Sequence, residues 1–479
     1  MSERATEEET TEPNDGGGAV AWLPDLIYTG SRFASGLALV CDEAGRILRL
    51  SLEEEITCRI VRLNNRALLP GLVNAHSHAF QRVIRGRTER RGGVEGDNFW
   101  SWREMMYSAA TRLSPVDIYD ASRMAFLEMA SGGITAVGEF HYLHRTSEGH
   151  EYDDPNLLAK EVIRAARDVG LRIALLRVAY ARSGYLTAPN EKQARFIEAE
   201  PEVYLRHVER LQSELSADDG TWVGVAPHSV RAVPLSYLRE VIGFASAQKL
   251  PIHMHVAEQP AEIAACLEEH GRTPVALLDA EGLLGERFTG VHGIHITDVE
   301  ARLLARARSL VCACPTTERN LGDGIIKTDL LFREGVRVSL GTDSHAQIDL
   351  LEDARELEYH LRLQKLERAV LSEKDDESLS SLAARLFDCA TRNGAHSIGA
   401  STGALELNRP ADFFTIDIND LSIAGASLDE LLACVVFSLA RTAVRDVCVG
   451  GKLIIEDGRH ALEREIVERF AALQRKLWN

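Results

Sequence analysis

Positive charge is what this 479-residue sequence has too little of: 54 Lys plus Arg stand against 72 Asp plus Glu, a formal net charge of −18 at pH 7. Nucleic acids and anionic membranes are bound through a basic footprint, so this balance argues against both as partners. Paired cysteines are missing too. The eight cysteines, at 41, 58, 266, 312, 314, 389, 434 and 448, contain no CxxC and lack the spacing of a small secreted disulfide domain. A reducing cytoplasm is expected. Long apolar runs are also absent: stretches such as Leu431 to Ala440 reach about half of the roughly 20 residues needed to cross a bilayer. The N-terminus carries Glu3, Glu7, Glu8, Glu9, Glu12 and Asp15 against Arg4 alone, followed by Gly16, Gly17 and Gly18. That reverses the basic start and apolar centre of a signal peptide, and residues 1–18 are expected to form a flexible acidic leader.

The composition is otherwise that of a globular protein, with 45% apolar and 26% charged residues. Between residues 68 and 400, short apolar runs alternate with longer amphipathic segments. The runs are LLPGLVNAHSH, ITAVGEF, RIALLRVAY, WVGVAPH, PIHMHVAE, FTGVHGIHI, SLVCACPT and RVSLGTDSH. Near-continuous apolar strands suit a parallel sheet covered on both faces, and the helical 3–4 spacing of Ile118, Ala121, Ala125 and Met129 predicts a helix from Val116 to the Gly132-Gly133 pair. Eight such units predict an α/β fold, a (β/α)8 barrel; an open doubly wound sheet is the alternative. Residues 19–67 and 401–479 differ in texture. Strand-like pieces at Leu37 to Val40, Phe413 to Asp417 and 446–458, the last with a tight Gly450-Gly451 turn, predict a small β-sandwich built from both termini. A helix from Leu462 to Leu477 closes the chain.

The chemistry gathers where the predicted strands end. His76 and His78, two apart on an extended strand, point to one face. His255, His292 and Asp343 stand at the ends of the fifth, sixth and eighth runs, the end of such barrels where active sites are assembled. Imidazoles with a carboxylate, leaving room for water, make a catalytic zinc-type set. Glu258, three residues beyond His255, is placed to shuttle a proton, its plain alternative being a helix-opening glutamate. No lysine lies in or near WVGVAPH, which excludes a carbamylated lysine bridging two metals there.

These residues, with LPGLVNAHSH, GTDSH and the terminal RPADFFTID … VCVGGKLIIEDG pattern, resemble the amidohydrolase superfamily, in its deaminase-like branch with one zinc. Longer strings, HSHAFQRVIRGR, DNFWSWREMMY, EFHYLHR, APHSVRAVP and CPTTERNLGDG, resemble a narrower family within it, the formimidoylglutamate deiminases of histidine degradation. The resemblance implies zinc ligands His76, His78, His255 and Asp343, with Asp343 also taking a proton from the attacking water. It implies Glu258 as proton shuttle to the leaving nitrogen, His292 as polarising or water-orienting group, and Gln81, Tyr142, His228 and Arg231 as substrate-binding residues. It implies hydrolysis of N-formimidoyl-L-glutamate to N-formyl-L-glutamate and ammonia, one Zn2+ per subunit, and a homodimer around the Trp100, Trp102 and Met105-Met106 region.

Five arginines, Arg82, Arg85, Arg87, Arg90 and Arg91, follow the HxH motif. A solvated face explains such a run, but Arg82 is also a candidate for the pocket, where with Arg85 and Arg231 it would reverse the global charge locally. Two other readings remain open at this point: a purine or triazine aminohydrolase of the same branch, and a catalytically inactive scaffold of the same fold.

Overall fold

In the computed structural model the described residues are 18–89, 99–188, 190–215, 220–373, 378 and 380–479; the acidic leader up to residue 17, Arg90 and Arg91 lie outside them. All eight apolar runs become parallel strands of one sheet. They are β6 (Leu72–Ser77), β7 (Ile134–His141), β8 (Arg172–Ala179), β9 (Thr221–Pro227), β10 (Ile252–Val256), β11 (Phe288–His292), β12 (Leu310–Ala313) and β13 (Val338–Leu340), hydrogen-bonded in sequence order. The ring closes between its first and last members. Asp343 N–H donates to the His76 carbonyl at 3.0 Å, and His78 N–H to the Asp343 carbonyl at 3.1 Å. Every residue of β6 and of β7 is buried, which explains runs without polar alternation.

The connecting helices form for the local reasons that the sequence suggests. Helix Pro115–Ala130 begins with a capping box between Ser114 and Asp117 and Pro115 in its first turn, and stops before Gly133, whose φ is +85°. Helix Leu157–Val169 buries Leu158, Val162, Ile163, Ala166 and Val169 along one stripe and ends at left-handed Gly170.

The two ends of the chain meet in a second, mixed sheet. Its strands are β1 (Val20–Tyr28), β2 (Phe33–Ala34), β3 (Leu37–Cys41), β4 (Ile47–Leu52), β5 (Arg59–Pro70), β14 (Phe413–Asp417), β15 (Val444–Val449) and β16 (Lys452–Ile455), in the order β16-β15-β14-β5-β1-β3-β4 with β2 beside β1. The expected terminal β-domain is thus one continuous sheet. Two small apolar clusters line it, one around Trp22, Ile27, Leu39 and Phe413, the other around Ala21, Leu23, Ala38 and Val40. The Gly450-Gly451 turn between β15 and β16 has φ of +56° and +75°, values that glycine adopts without steric cost. A last helix, Glu463–Trp478, packs on helix Pro115–Ala130. Among the described residues no helix is long and apolar enough to cross a membrane.

One buried polar cluster belongs to the scaffold. Arg177 on β8 is fully buried and forms a bidentate pair with Glu198 (Nη1 to Oε2 2.5 Å, Nη2 to Oε1 3.0 Å). Its Nε donates to Asn156 Oδ1 at 2.9 Å, His207 Nδ1 to Glu198 Oε1 at 2.6 Å, and Tyr204 Oη to the Arg177 carbonyl at 2.6 Å.

Candidate active site

The C-terminal ends of the barrel strands bring His76, His78, His255 and Asp343 together, all buried, with one ligand atom from each inside 4.8 Å of the others. The nearest approaches are 3.2 Å between the Nε2 atoms of His76 and His78, 3.1 Å from His78 Nε2 to Asp343 Oδ1, and 3.4 Å from His76 Nε2 to that same oxygen. His78 Nδ1 donates to the Phe140 carbonyl at 2.9 Å and His255 Nδ1 to the His228 carbonyl at 3.0 Å. Those bonds leave the Nε2 lone pairs of both rings free. Burial keeps His76 neutral, its pKa lowered to about 3, and holds His255 well below the ordinary histidine value. Burial alone would raise Asp343, but the imidazoles of His76 and His78 close beside it prevail and hold its carboxyl well below the usual range. Nitrogen lone pairs and a carboxylate oxygen converging on one buried point repel each other unless a cation stands between them. Three imidazole nitrogens and one carboxylate oxygen are the donor set of a catalytic zinc.

The four converging side chains are held by a second layer. Glu139, on β7 and opposite Ser77 of β6, accepts from Ser77 Oγ at 2.5 Å and from Ala79 N–H at 2.7 Å, and burial raises it to about 7. Gly341 permits the closing strand to approach: a Cβ there would lie 2.7 Å from that of His76 and 2.9 Å from the His76 carbonyl oxygen. Several non-glycine residues of the rim have left-handed backbones, with φ of +73° at His292, +45° at Asp343 and +55° at Ala257. Such conformations cost of order 1 kcal/mol or more each and persist where surrounding contacts over-determine them.

Glu258 and His292 complete the centre. His292 Nε2 lies 3.8 Å from Glu258 Oε1 and 3.9 Å from Asp343 Oδ2. Burial opposes charge on the His292 ring, yet Glu258, Glu318 and Asp343 together hold it well above the ordinary value. Burial raises Glu258, which therefore keeps a proton more readily than an exposed glutamate.

Beside this centre a cavity is lined by Gln81, Tyr142, His228 and Arg231, so four expected pocket residues do come together. Gln81 Nε2 donates to Tyr142 Oη at 2.8 Å while its Oε1, buried, has no partner among the described residues. Arg231 Nη1 is anchored on the Ser183 carbonyl at 2.7 Å. The structure does not bring Arg82 here. Its Nε pairs with Glu128 Oε2 at 2.9 Å and its guanidinium lies 5.1 Å from the Phe470 ring centre. Arg85 turns to the same glutamate and to the His345 carbonyl. Glu128 accounts for both. Arg103, inside helix Phe99–Ala110, lines the cavity instead, as do Trp102, Met106 and Glu262. Burial, with Glu258 nearby, raises Glu262 to about 7.

The model of the amidohydrolase family matches residues 67–454. The chain belongs to the amidohydrolase family. It is an enzyme of the deaminase kind within that superfamily, acting on C–N bonds. It is similar to a formimidoylglutamate deiminase of Pseudomonas aeruginosa, 38% identical over 405 residues that cover 84% of this chain and 88% of that one. A 5-methylthioadenosine/S-adenosylhomocysteine deaminase of Pyrococcus abyssi is 25% identical over 86% of this chain and 88% of its own. Among solved structures, an amidohydrolase from Brucella melitensis superposes with a TM-score of 0.87 at 32% identity, covering 97% of this chain and all of that one. An adenosine deaminase from Xanthomonas campestris with bound zinc shares the fold, with a TM-score of 0.80 at 21% identity over 96% of this chain and 98% of that one.

Proposed function

We propose that this amidohydrolase converts N-formimidoyl-L-glutamate and water to N-formyl-L-glutamate and ammonia, a cytoplasmic step of L-histidine degradation. The observation that carries the reading is the pair of arginines, Arg231 and Arg103, lining a cavity beside the His/Asp centre of a chain whose net charge is −18. A dicarboxylate needs such cations; a purine or triazine ring does not. The similarity to the Pseudomonas aeruginosa deiminase supports the same substrate.

In this reading His76, His78, His255 and Asp343 hold one zinc per subunit. When bound, the metal supplies Lewis acidity, which lowers the pKa of water from about 15.7 to near 7. The rest falls to the protein's own groups. Arg231 and His228 bind the carboxylates, Tyr142 adds a hydrogen bond, and the free Gln81 Oε1 accepts an amidine N–H. Asp343 takes a proton from the attacking water and His292 Nε2 polarises the amidine carbon's substituent. Glu258 passes a proton to the leaving NH2, which departs as ammonia while the carbon–oxygen double bond forms.

A second reading, an adenosine-type deaminase, has one observation in its favour: Phe99, Trp102, Tyr107, Tyr180 and Phe196 give the cavity an aromatic wall. An ammonia-release assay on formimidoyl-L-glutamate, formimidoyl-L-aspartate, guanine, adenosine and 5′-methylthioadenosine separates the two. Turnover of the first at the highest kcat/KM is expected, with Arg231→Ala raising KM strongly at unchanged metal content. No turnover of it overturns the proposal, and a metal-free, folded, inactive protein would instead mark a scaffold. The reading also carries a homodimer, which sedimentation velocity checks directly.

A further inference from the structure

His292 differs from its neighbours in what holds its second nitrogen. His78 and His255 give their Nδ1–H to backbone carbonyls, whereas His292 Nδ1 lies 3.2 Å from Glu318 Oε1. Glu318 is 1% exposed and stands in helix Pro315–Leu321, directly after β12. Its Oε1 also accepts the Cys314 N–H at 2.8 Å, so one oxygen is fastened to the main chain while it holds the ring. His292 itself has a left-handed backbone and stacks on His255, with centroids 5.6 Å apart and planes 15° apart. A neutral acceptor would satisfy Cys314. Burying a carboxylate there is costly unless its charge is used, and the imidazole of His292 is the partner that uses it.

We propose that Glu318 is a positioning residue for the hydrolysis: by accepting the Nδ1–H of His292 it fixes the ring's angle, so that Nε2 faces Glu258 and Asp343. The inference rests on the proposed role of His292 at the reacting carbon. Glu318 does not touch substrate and is no ligand of the His76, His78, His255 and Asp343 centre. Its removal therefore acts on turnover through His292 alone. A purely structural Glu318 would instead tie helix Pro315–Leu321 to β12 and leave the imidazole as it is.

The test uses the metal-loaded full chain, its Glu318→Gln and Glu318→Ala variants, and His292→Asn as the assignment control. Proton NMR reads the downfield imidazole Nδ1–H resonance, while ammonia release from N-formimidoyl-L-glutamate and elemental analysis run in parallel. In Glu318→Ala the resonance present in the wild type and missing in His292→Asn should disappear. There kcat should fall by about 10–100-fold, the range for removing an outer hydrogen-bond partner, with KM within about threefold and metal per chain unchanged. Glu318→Gln, whose carbonyl oxygen can accept the same two bonds, should keep the resonance at a shifted position and lose less than about tenfold in kcat. A persisting resonance in Glu318→Ala, kcat within twofold of the wild type, or loss of metal in both variants overturns the proposal. If the alanine variant does not fold, an unmoved resonance with unchanged kcat in Glu318→Gln overturns it. If the wild type releases no ammonia from this amidine, the substrate reading falls, and the resonance still decides whether Glu318 holds His292.

Discussion

Around Arg177 and around Asp343 the barrel buries two clusters of the same ingredients, histidines and carboxylates, and completes only one of them. At Arg177 the pairing closes on itself: Glu198 answers the guanidinium with both oxygens, Asn156 takes the third donor, and His207 donates to the same carboxylate. At Asp343 the atoms face each other without donors between them, His76 Nε2 and His78 Nε2 lying 3.2 Å apart. Burial is equal in the two places, so it does not distinguish scaffold from site. What distinguishes them is whether the polar atoms are matched from within the protein.

The strongest way to break this contrast is to remove one of the converging lone pairs. His255→Ala should abolish both metal retention and ammonia release while the protein stays folded; a variant that keeps its full metal content would show that the four residues do not act as one site. Glu258→Gln sharpens the point within the rim: kcat should drop by about 10²–10⁴-fold, the usual worth of a positioned acid–base group, with metal per chain unchanged. The Arg177 cluster should respond in stability. Glu198→Ala leaves a buried guanidinium uncompensated and should lower the unfolding free energy by about 3–5 kcal/mol, measured by urea titration, while kcat per folded molecule stays near the wild-type value.

A smaller effect concerns pH. Glu262 has a folded-state pKa raised from 4.5 to about 7. The folded state therefore binds this proton more tightly than the unfolded chain. The associated stability is complete below about pH 4.5 and is lost as pH rises through 7, a ceiling of about 3 kcal/mol at about 1.36 kcal/mol per unit. Glu262→Gln should consequently gain on the wild type in melting temperature between pH 5 and pH 8. A constant difference across that range would place the Glu262 proton elsewhere.

The eight barrel strands were legible because both faces of each are covered, so their apolar runs stand out without a partner being known. The four converging residues were legible for a related reason: each stands near or just beyond the C-terminal end of a strand, where the barrel gathers side chains from several strands. Arg82 was not, since its partner Glu128 lies 46 residues away and nothing local announces it. Arg103 was hidden in a helix whose cavity-facing side is set by the barrel mouth rather than by its own periodicity. Glu318 was hidden in CPTTER, where a glutamate after Pro-Thr-Thr has the look of an ordinary first-turn residue. The terminal segments were legible as β-structure, while their pairing into one sheet depends on contacts such as β14 with β5 that join opposite ends of the chain.

The seam at which the ring closes also bears on biogenesis. Asn74 and Thr342, 268 positions apart, exchange two hydrogen bonds across it, and Ser77 meets His345 over the same span. His76 and His78 leave the ribosome long before Asp343 does, and contacts of such sequence separation form late. A nascent or truncated chain that stops short of β13 holds histidines but not the carboxylate that completes the set. The fourth donor of the cluster therefore arrives only with the last strand, so an unfinished barrel lacks the arrangement that sets this end apart from the Arg177 cluster.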